Sequence, residues 1–221
     1  MSSLHTQQVG APPPGHHDLF TQLVAKCDQL RFNGGVDDET RTAWELFRET
    51  VDWLRENYAQ FEFWVERDLV WTLQGRLRCL IRERGLPFTV LSDYGMLPGI
   101  RRALSADLVV REAGGQVLVA GEFKYEPSHL RPEFCAQPGK LPVVLWGADG
   151  VAKDIARIRQ FVEAGTARAA FGMFLDEGRH FRKRPPHPCS EWRDWDSPQP
   201  GIPAPSILWS QWPQPQTEQT A

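Results

Sequence analysis

The sequence predicts a mixed α/β domain, an α+β mixed sheet behind a helical N-terminal part, and three observations carry that expectation. Helical apolar patterns recur between residues 18 and 83. β-rich runs then flank a Gly114-Gly115 pair. A further helical pattern and a continuous apolar run follow between 151 and 175, an order that suits one sheet covered by helices. The length of 221 residues fits one domain with extensions and can bury a sizeable core.

Residues 1–17 are Ser, Gln, Pro, Gly and His with little to bury, and are expected to form a disordered tail. From 18 to 59 a helical N-terminal extension is expected. Leu19, Phe20, Leu23, Val24 and Leu30 recur at helical spacing, and after an Asn33-Gly34-Gly35 turn Trp44, Phe47, Val51 and Leu54 mark one face of a second helix. Asp37 or Asp38 is its expected cap. A third helix, 61–83, carries Val65, Leu69, Leu73, Leu77 and Leu80 and stops at Gly85-Leu86-Pro87. The texture then changes: residues 88–94 read as a strand, and 106–127 as two β-rich runs about the Gly-Gly pair. A Pro-rich passage leads to a short strand at 143–146. Val151, Ile155, Ile158 and Val162 then define a helix closed by Gly165, and 169–175 reads as an apolar strand. The segment 185–221 is rich in Pro and Trp and is expected to pack on the 60–184 core, with residues 207–209 as an edge strand and a loose end.

Composition narrows the function classes. Twenty-five Lys plus Arg against 28 Asp plus Glu, a net charge of −3, exclude a polycation that grips nucleic acid by bulk charge, though not a local basic patch. No apolar run approaches the roughly 18 residues that span a bilayer, and the N-terminus lacks the charged and apolar regions of a secretory leader. The four cysteines are widely spaced, so free thiols in a reducing compartment are expected, and with them a cytoplasmic protein. Phosphate-loop, dinucleotide and nucleophile-elbow glycine motifs are all missing. The spacing of His129, Cys135, His187 and Cys189 matches no strong zinc motif.

The hairpin carries the chemistry. If Gly114 and Gly115 form a two-residue loop, opposed positions sum to 229: Ala113 faces Gln116, Arg111 faces Leu118, and Asp107 faces Glu122. Side chains alternate, so Asp107, Glu122 and Lys124 share a face, with the two carboxylate-bearing Cβ atoms about 5 Å apart. Leu108, Val110, Val117, Val119 and Phe123 make one apolar face, and Val109, Leu118 and Ala120 make the other apolar too. A sheet buried on both faces is a costly place for two opposed carboxylates and one lysine. A hard divalent cation held by carboxylate oxygens offsets that cost, and Mg²⁺ takes few protein carboxylates beside water and phosphate oxygens.

Asp107, followed on the next strand by Glu122-Phe123-Lys124, resembles the PD-(D/E)XK nuclease superfamily, the restriction endonuclease-like fold. The resemblance spans about residues 60–176 and implies an αβββαβ core with a metal-dependent phosphodiesterase site. It implies that Asp107 and Glu122 ligate the metal, Mg²⁺ with Mn²⁺ as a substitute, and that the Phe123 carbonyl contributes. It further implies that Lys124 positions or activates water, and that an acid on the first core helix completes the site. Glu66 fills that place, with Asp68 as the runner-up. Ala106 stands where the family has proline, the later helix lacks the Gln-x-x-x-Tyr of one branch, and the stretch after Lys124 is an insertion on the minimal core.

The expected activity is hydrolysis of nucleic-acid phosphodiesters, DNA above all, with a homodimer favoured if both strands are cut. The contrasting expectations are a regulatory or nucleic-acid-binding module that kept the fold without turnover, and a hydrolase of small phosphate esters. Phosphate contacts are expected from Arg102 at the mouth of the site and from Arg179, Arg182, Lys183 and Arg184, where Phe181 offers stacking. The arginines at 76, 78, 82 and 84 on the third helix could also supply phosphate contacts, though a solvated helix face is their simpler reading. Asp154 and Arg157, early on the later helix, could face the active end of the sheet, though an acid that complements the helix dipole is the simpler reading of Asp154.

Overall fold

A computed structural model describes residues 37–99, 103–131, 144–195 and 204–213. The expected N-terminal tail and first helix, Arg102, Cys27 and Cys135 lie outside the described residues. Those that are described fall within a single compact unit, 35–214. Among the described residues are three α-helices, α1 (Asp38–Asn57), α2 (Glu66–Glu83) and α3 (Val151–Glu163). A mixed six-stranded sheet accompanies them: β1 (Thr89–Leu97), β2 (Leu104–Arg111), β3 (Val117–Glu126), β4 (Ala167–Asp176), β5 (Ser190–Asp194) and β6 (Ser206–Trp212). Among the described residues no helix is long and apolar enough to cross a membrane.

Local chemistry sets the helix ends. Asp37, not Asp38, caps α1, its carboxylate accepting from the Thr40 N–H at 2.8 Å. α2 begins at Glu66 rather than 61. Asp68 reaches back to the N–H groups of Trp64 and Val65 at 2.9 and 3.1 Å and so closes the first turn. Its far end is a Schellman stop: Gly85 sits at φ 61°, and the Leu86 N–H returns to the Ile81 carbonyl at 3.0 Å.

The strand order is β1-β2-β3-β4-β6-β5, with β3 and β4 parallel and every other pair antiparallel. α3 makes the β3–β4 crossover and lays Ile158 and Phe161 on Val109, Ala120 and Ala170. The opposite face receives α1, whose Trp44 and Phe47 meet the Phe171 ring edge-on at 5.9 and 4.9 Å. The expected edge strand at 207–209 is instead internal: β6 lies between β4 and β5. Apolar patterning cannot reveal how many neighbours a strand has, and the short preceding strand β5, not β6, forms the edge. The strand expected at 143–146 has no regular structure where it is described, residues 144–146.

The hairpin corrects the expected turn and keeps the expected register. The loop has three residues, Ala113–Gly115. The Gly115 N–H donates to the Glu112 carbonyl, the Glu112 N–H to the Gln116 carbonyl (both 3.1 Å), and Gly115 takes φ 98°. Arg111 therefore faces Val117, not Leu118. One extra residue on β3 then forms a bulge, and beyond it Val110 faces Val119, Val109 faces Ala120 and Leu108 faces Gly121. The longer loop and the bulge cancel. Val117 pays for the shift by changing face, joining Val109 and Ala120 under α3.

Candidate active site

Paired positions between β2 and β3 stop at Leu108 and Gly121. Just beyond, the Phe123 N–H is taken by Asp107 Oδ2 at 2.8 Å, so a side chain replaces a ladder acceptor. Val109 and Ala120 lie under α3, and alternation puts Asp107 and Glu122 on that same face. Lys124 follows, and its ammonium gathers the cluster: it is 2.8 Å from Glu66 Oε2, 3.2 Å from Asp154 Oδ2, and donates to the Phe123 carbonyl at 3.0 Å. Glu66 is thus the helix acid at the site, while Asp68 is engaged in capping α2.

The sequence reading undervalued Asp154 and Arg157. Both lie early on α3, one turn apart, and the turn points them at β3. Arg157 Nη1 donates to Glu122 Oε2 at 2.9 Å and lies 3.6 Å from Asp154 Oδ1. The local signal was an acid and a base at i and i+3 on a helix start, a pattern equally at home on a solvated surface. At β4, Gly172 sits level with Glu122, and a Cβ there would come within 2.6 Å of Ser210 Oγ. Glycine there makes room for the Ser210 hydroxyl in the pocket wall beside Glu122. Val151, Phe174 and Leu208 supply its apolar part.

Four carboxylates (Glu66, Asp107, Glu122, Asp154) meet two cations, Lys124 and Arg157, with Lys153 a largely solvent-facing third at 4.0 Å from Asp154. Glu122 is 1 % exposed and its Oε1 has no hydrogen-bond partner. Burial, then the charge of Asp107, pushes Glu122 up to about 9 against the opposing pull of Arg157. Burial likewise raises Asp107 to about 6, opposed by the Phe123 N–H. Burial works against the Lys124 ammonium, yet Asp154 and Glu66 outweigh it and hold its pKa above the ordinary lysine value. Lys124 is accordingly a charge donor at neutral pH and not a base.

Among the described residues no group of three or more His, Cys, Asp or Glu side chains is placed as a ready metal cage. What the site offers a hard cation is the orphaned Glu122 Oε1, the Asp107 carboxylate on the same sheet face and the Phe123 carbonyl. That sparse set of oxygen donors fits Mg²⁺, which keeps most of its water shell.

The other expected phosphate contacts are differently engaged. Arg182 grips Asp194 with two bonds, at 2.8 and 3.1 Å, and Arg179 meets the same carboxylate at 2.7 Å. Arg184 lies over the Phe181 and Trp146 rings at 5.0 and 5.7 Å, and Phe181 is buried. Lys183 is exposed. Of the α2 arginines, Arg76 and Arg84 pair with Glu49. No family model matches the chain, and no curated protein or solved structure matches it.

Proposed function

We propose that this chain is a divalent-metal-dependent nuclease with a restriction endonuclease-like core of the PD-(D/E)XK type, hydrolysing nucleic-acid phosphodiester bonds, DNA first. The observation that carries the reading is the convergence of Asp107, Glu122 and Lys124 from two adjacent strands with Glu66 from the preceding helix. Asp107, Glu122 and the Phe123 carbonyl are the groups that would hold Mg²⁺ or Mn²⁺. When bound, the cation polarises the phosphate and lowers the pKa of coordinated water.

The chain's own residues divide the remaining work. Lys124, permanently charged, orients the incoming water through its N–H groups and offsets charge that develops on the phosphate. Glu66 and Asp154 hold that ammonium from two sides. Arg157 partly neutralises Glu122, easing the approach of a polyanion. The apolar wall excludes water and strengthens each of these interactions.

The test is cleavage of supercoiled plasmid and labelled oligonucleotides by purified protein with Mg²⁺, Mn²⁺ or EDTA. Expected are metal-dependent nicking and its loss, by roughly 100-fold or more, in Asp107→Asn and Lys124→Ala that fold normally. No cleavage in either metal, or full activity in Lys124→Ala, overturns the reading. A second reading, a nucleic-acid-binding module without turnover, is favoured by the Arg157 bond that occupies Glu122 Oε2. In that case the same preparations bind nucleic acid and never cut it.

A further inference from the structure

The exposed side of α2 has a chemistry the site does not use. Arg67, Trp71, Gly75, Arg78 and Arg82 are all exposed. Spaced four, four, three and four residues apart, they fall within an arc of roughly 80° on the helix surface. The stripe holds no acid. Arg76 and Arg84, on other flanks, share the Glu49 carboxylate, whereas Arg67, Arg78 and Arg82 form no ion pair among the described residues. Arg78 spends one donor on the Val90 carbonyl at 3.3 Å and keeps the others. Three uncompensated guanidinium groups in a chain of net charge −3 mark a local demand for anions.

Trp71 says which anion. It is 57 % exposed, with the Arg67 guanidinium 5.8 Å from its ring centre on one side. The open side can accept a base, which arginine-backed tryptophan stacks well. Gly75, one turn on, has nothing within 4 Å of a would-be Cβ, so the stripe stays flat between Trp71 and Arg78. Bases inside a duplex already stack on their neighbours, so a ring face of this kind serves an unpaired strand. From Arg67 to Arg82 the stripe runs about 22 Å. It ends next to Glu66, which touches Lys124.

We infer that the outer face of α2 is a track for single-stranded nucleic acid: Trp71 stacks a base, Arg67, Arg78 and Arg82 hold phosphates, and the strand is led to the cluster around Lys124. The track's use as a substrate guide rests on the nuclease reading; its binding does not.

The experiment titrates the full chain, in EDTA so that nothing is cut, into fluorescein-labelled oligothymidylate and, separately, a hairpin duplex, reading anisotropy at several salt concentrations. Far-UV circular dichroism and Tm confirm folding of each variant. Trp71→Ala is expected to weaken oligothymidylate binding roughly 10- to 100-fold, with Trp71→Phe close to wild type. Replacing Arg67 and Arg82 together by Gln is expected to lower the log–log salt slope by about 1.4. The duplex is expected to bind more weakly and to ignore Trp71→Ala. Wild-type protein that does not bind oligothymidylate, folded variants that bind as wild type, or preference for anionic vesicles or for self-association through this face each overturns the inference. Cleavage assays separate the two failures. Wild type that binds through the stripe but never cuts sinks only the nuclease reading, and an active enzyme indifferent to these variants sinks only the track.

Discussion

Glu122 occupies the place where a carboxylate costs most: inside the sheet, 1 % exposed, one oxygen unpartnered, with the charge of Asp107 acting on it from the same face. Such a group lowers stability, because the unfolded chain ionises more readily than the folded one. Its pKa is raised, so the cost is absent below the ordinary glutamate value and grows as pH rises toward about 9. Glu122→Gln keeps the shape, can turn its amide N–H toward Asp107 and can leave its carbonyl for Arg157. Differential scanning calorimetry at pH 8 in EDTA is expected to show a higher Tm for Glu122→Gln than for wild type, while cleavage is lost. An unchanged or lower Tm would mean that Arg157 already compensates the charge. Part of the site was legible in the chain, since Glu122 and Lys124 share a face by strand alternation and Asp107 joins them through the hairpin register. Asp154 was not: an acid in a first helical turn serves the dipole equally well, and only packing shows it against Lys124.

At the scale of elements, the hairpin shows how register survives a wrong turn. Gly115 at φ 98° ends the three-residue loop, and the β3 bulge returns the strand to the pairing that keeps Asp107 and Glu122 on one face. Gly115→Ala places a Cβ in that left-handed conformation and is expected to cost roughly 1 kcal/mol or more, read as a lower urea midpoint. Activity should persist in the folded fraction, because apolar residues on both faces of β2 and β3 hold the pairing; a fully folded but inactive variant would show that the loop sets register.

β5 is secured differently. Arg182 first, then Ser206 and Arg179, hold the Asp194 carboxyl well below the ordinary aspartate range. A lowered folded-state pKa contributes stability above the unfolded value, lost as pH falls through the folded one, so the window lies below about pH 4. Asp194 is partly exposed, so the effect is modest. Asp194→Asn is expected to flatten the acid limb of Tm against pH there while lowering Tm at neutral pH; an unchanged acid limb would deny the pairing any role.

For the molecule as a whole, surplus negative charge at the centre predicts that a bound cation stabilises the fold. At ten times its Kd, Mg²⁺ should contribute about 1.4 kcal/mol, a Tm rise of roughly 3–6 °C for a chain of this size. Asp107→Asn should abolish the rise, and an equal rise in wild type and variant would place the cation elsewhere. Length, composition, apolar periodicity and the alternation of side chains were sufficient to place the three described helices, most strands and Glu122 with Lys124 on one face, because these depend on neighbours within a few residues; Asp107 joins them through the hairpin register. Only the tertiary structure decided that β6 is internal, that Asp154 and Arg157 join the cluster, and which arginines are neutralised. Each of those outcomes is a contact between segments far apart in the chain, and charge partners drawn from distant elements leave no periodic mark on the sequence that contains them.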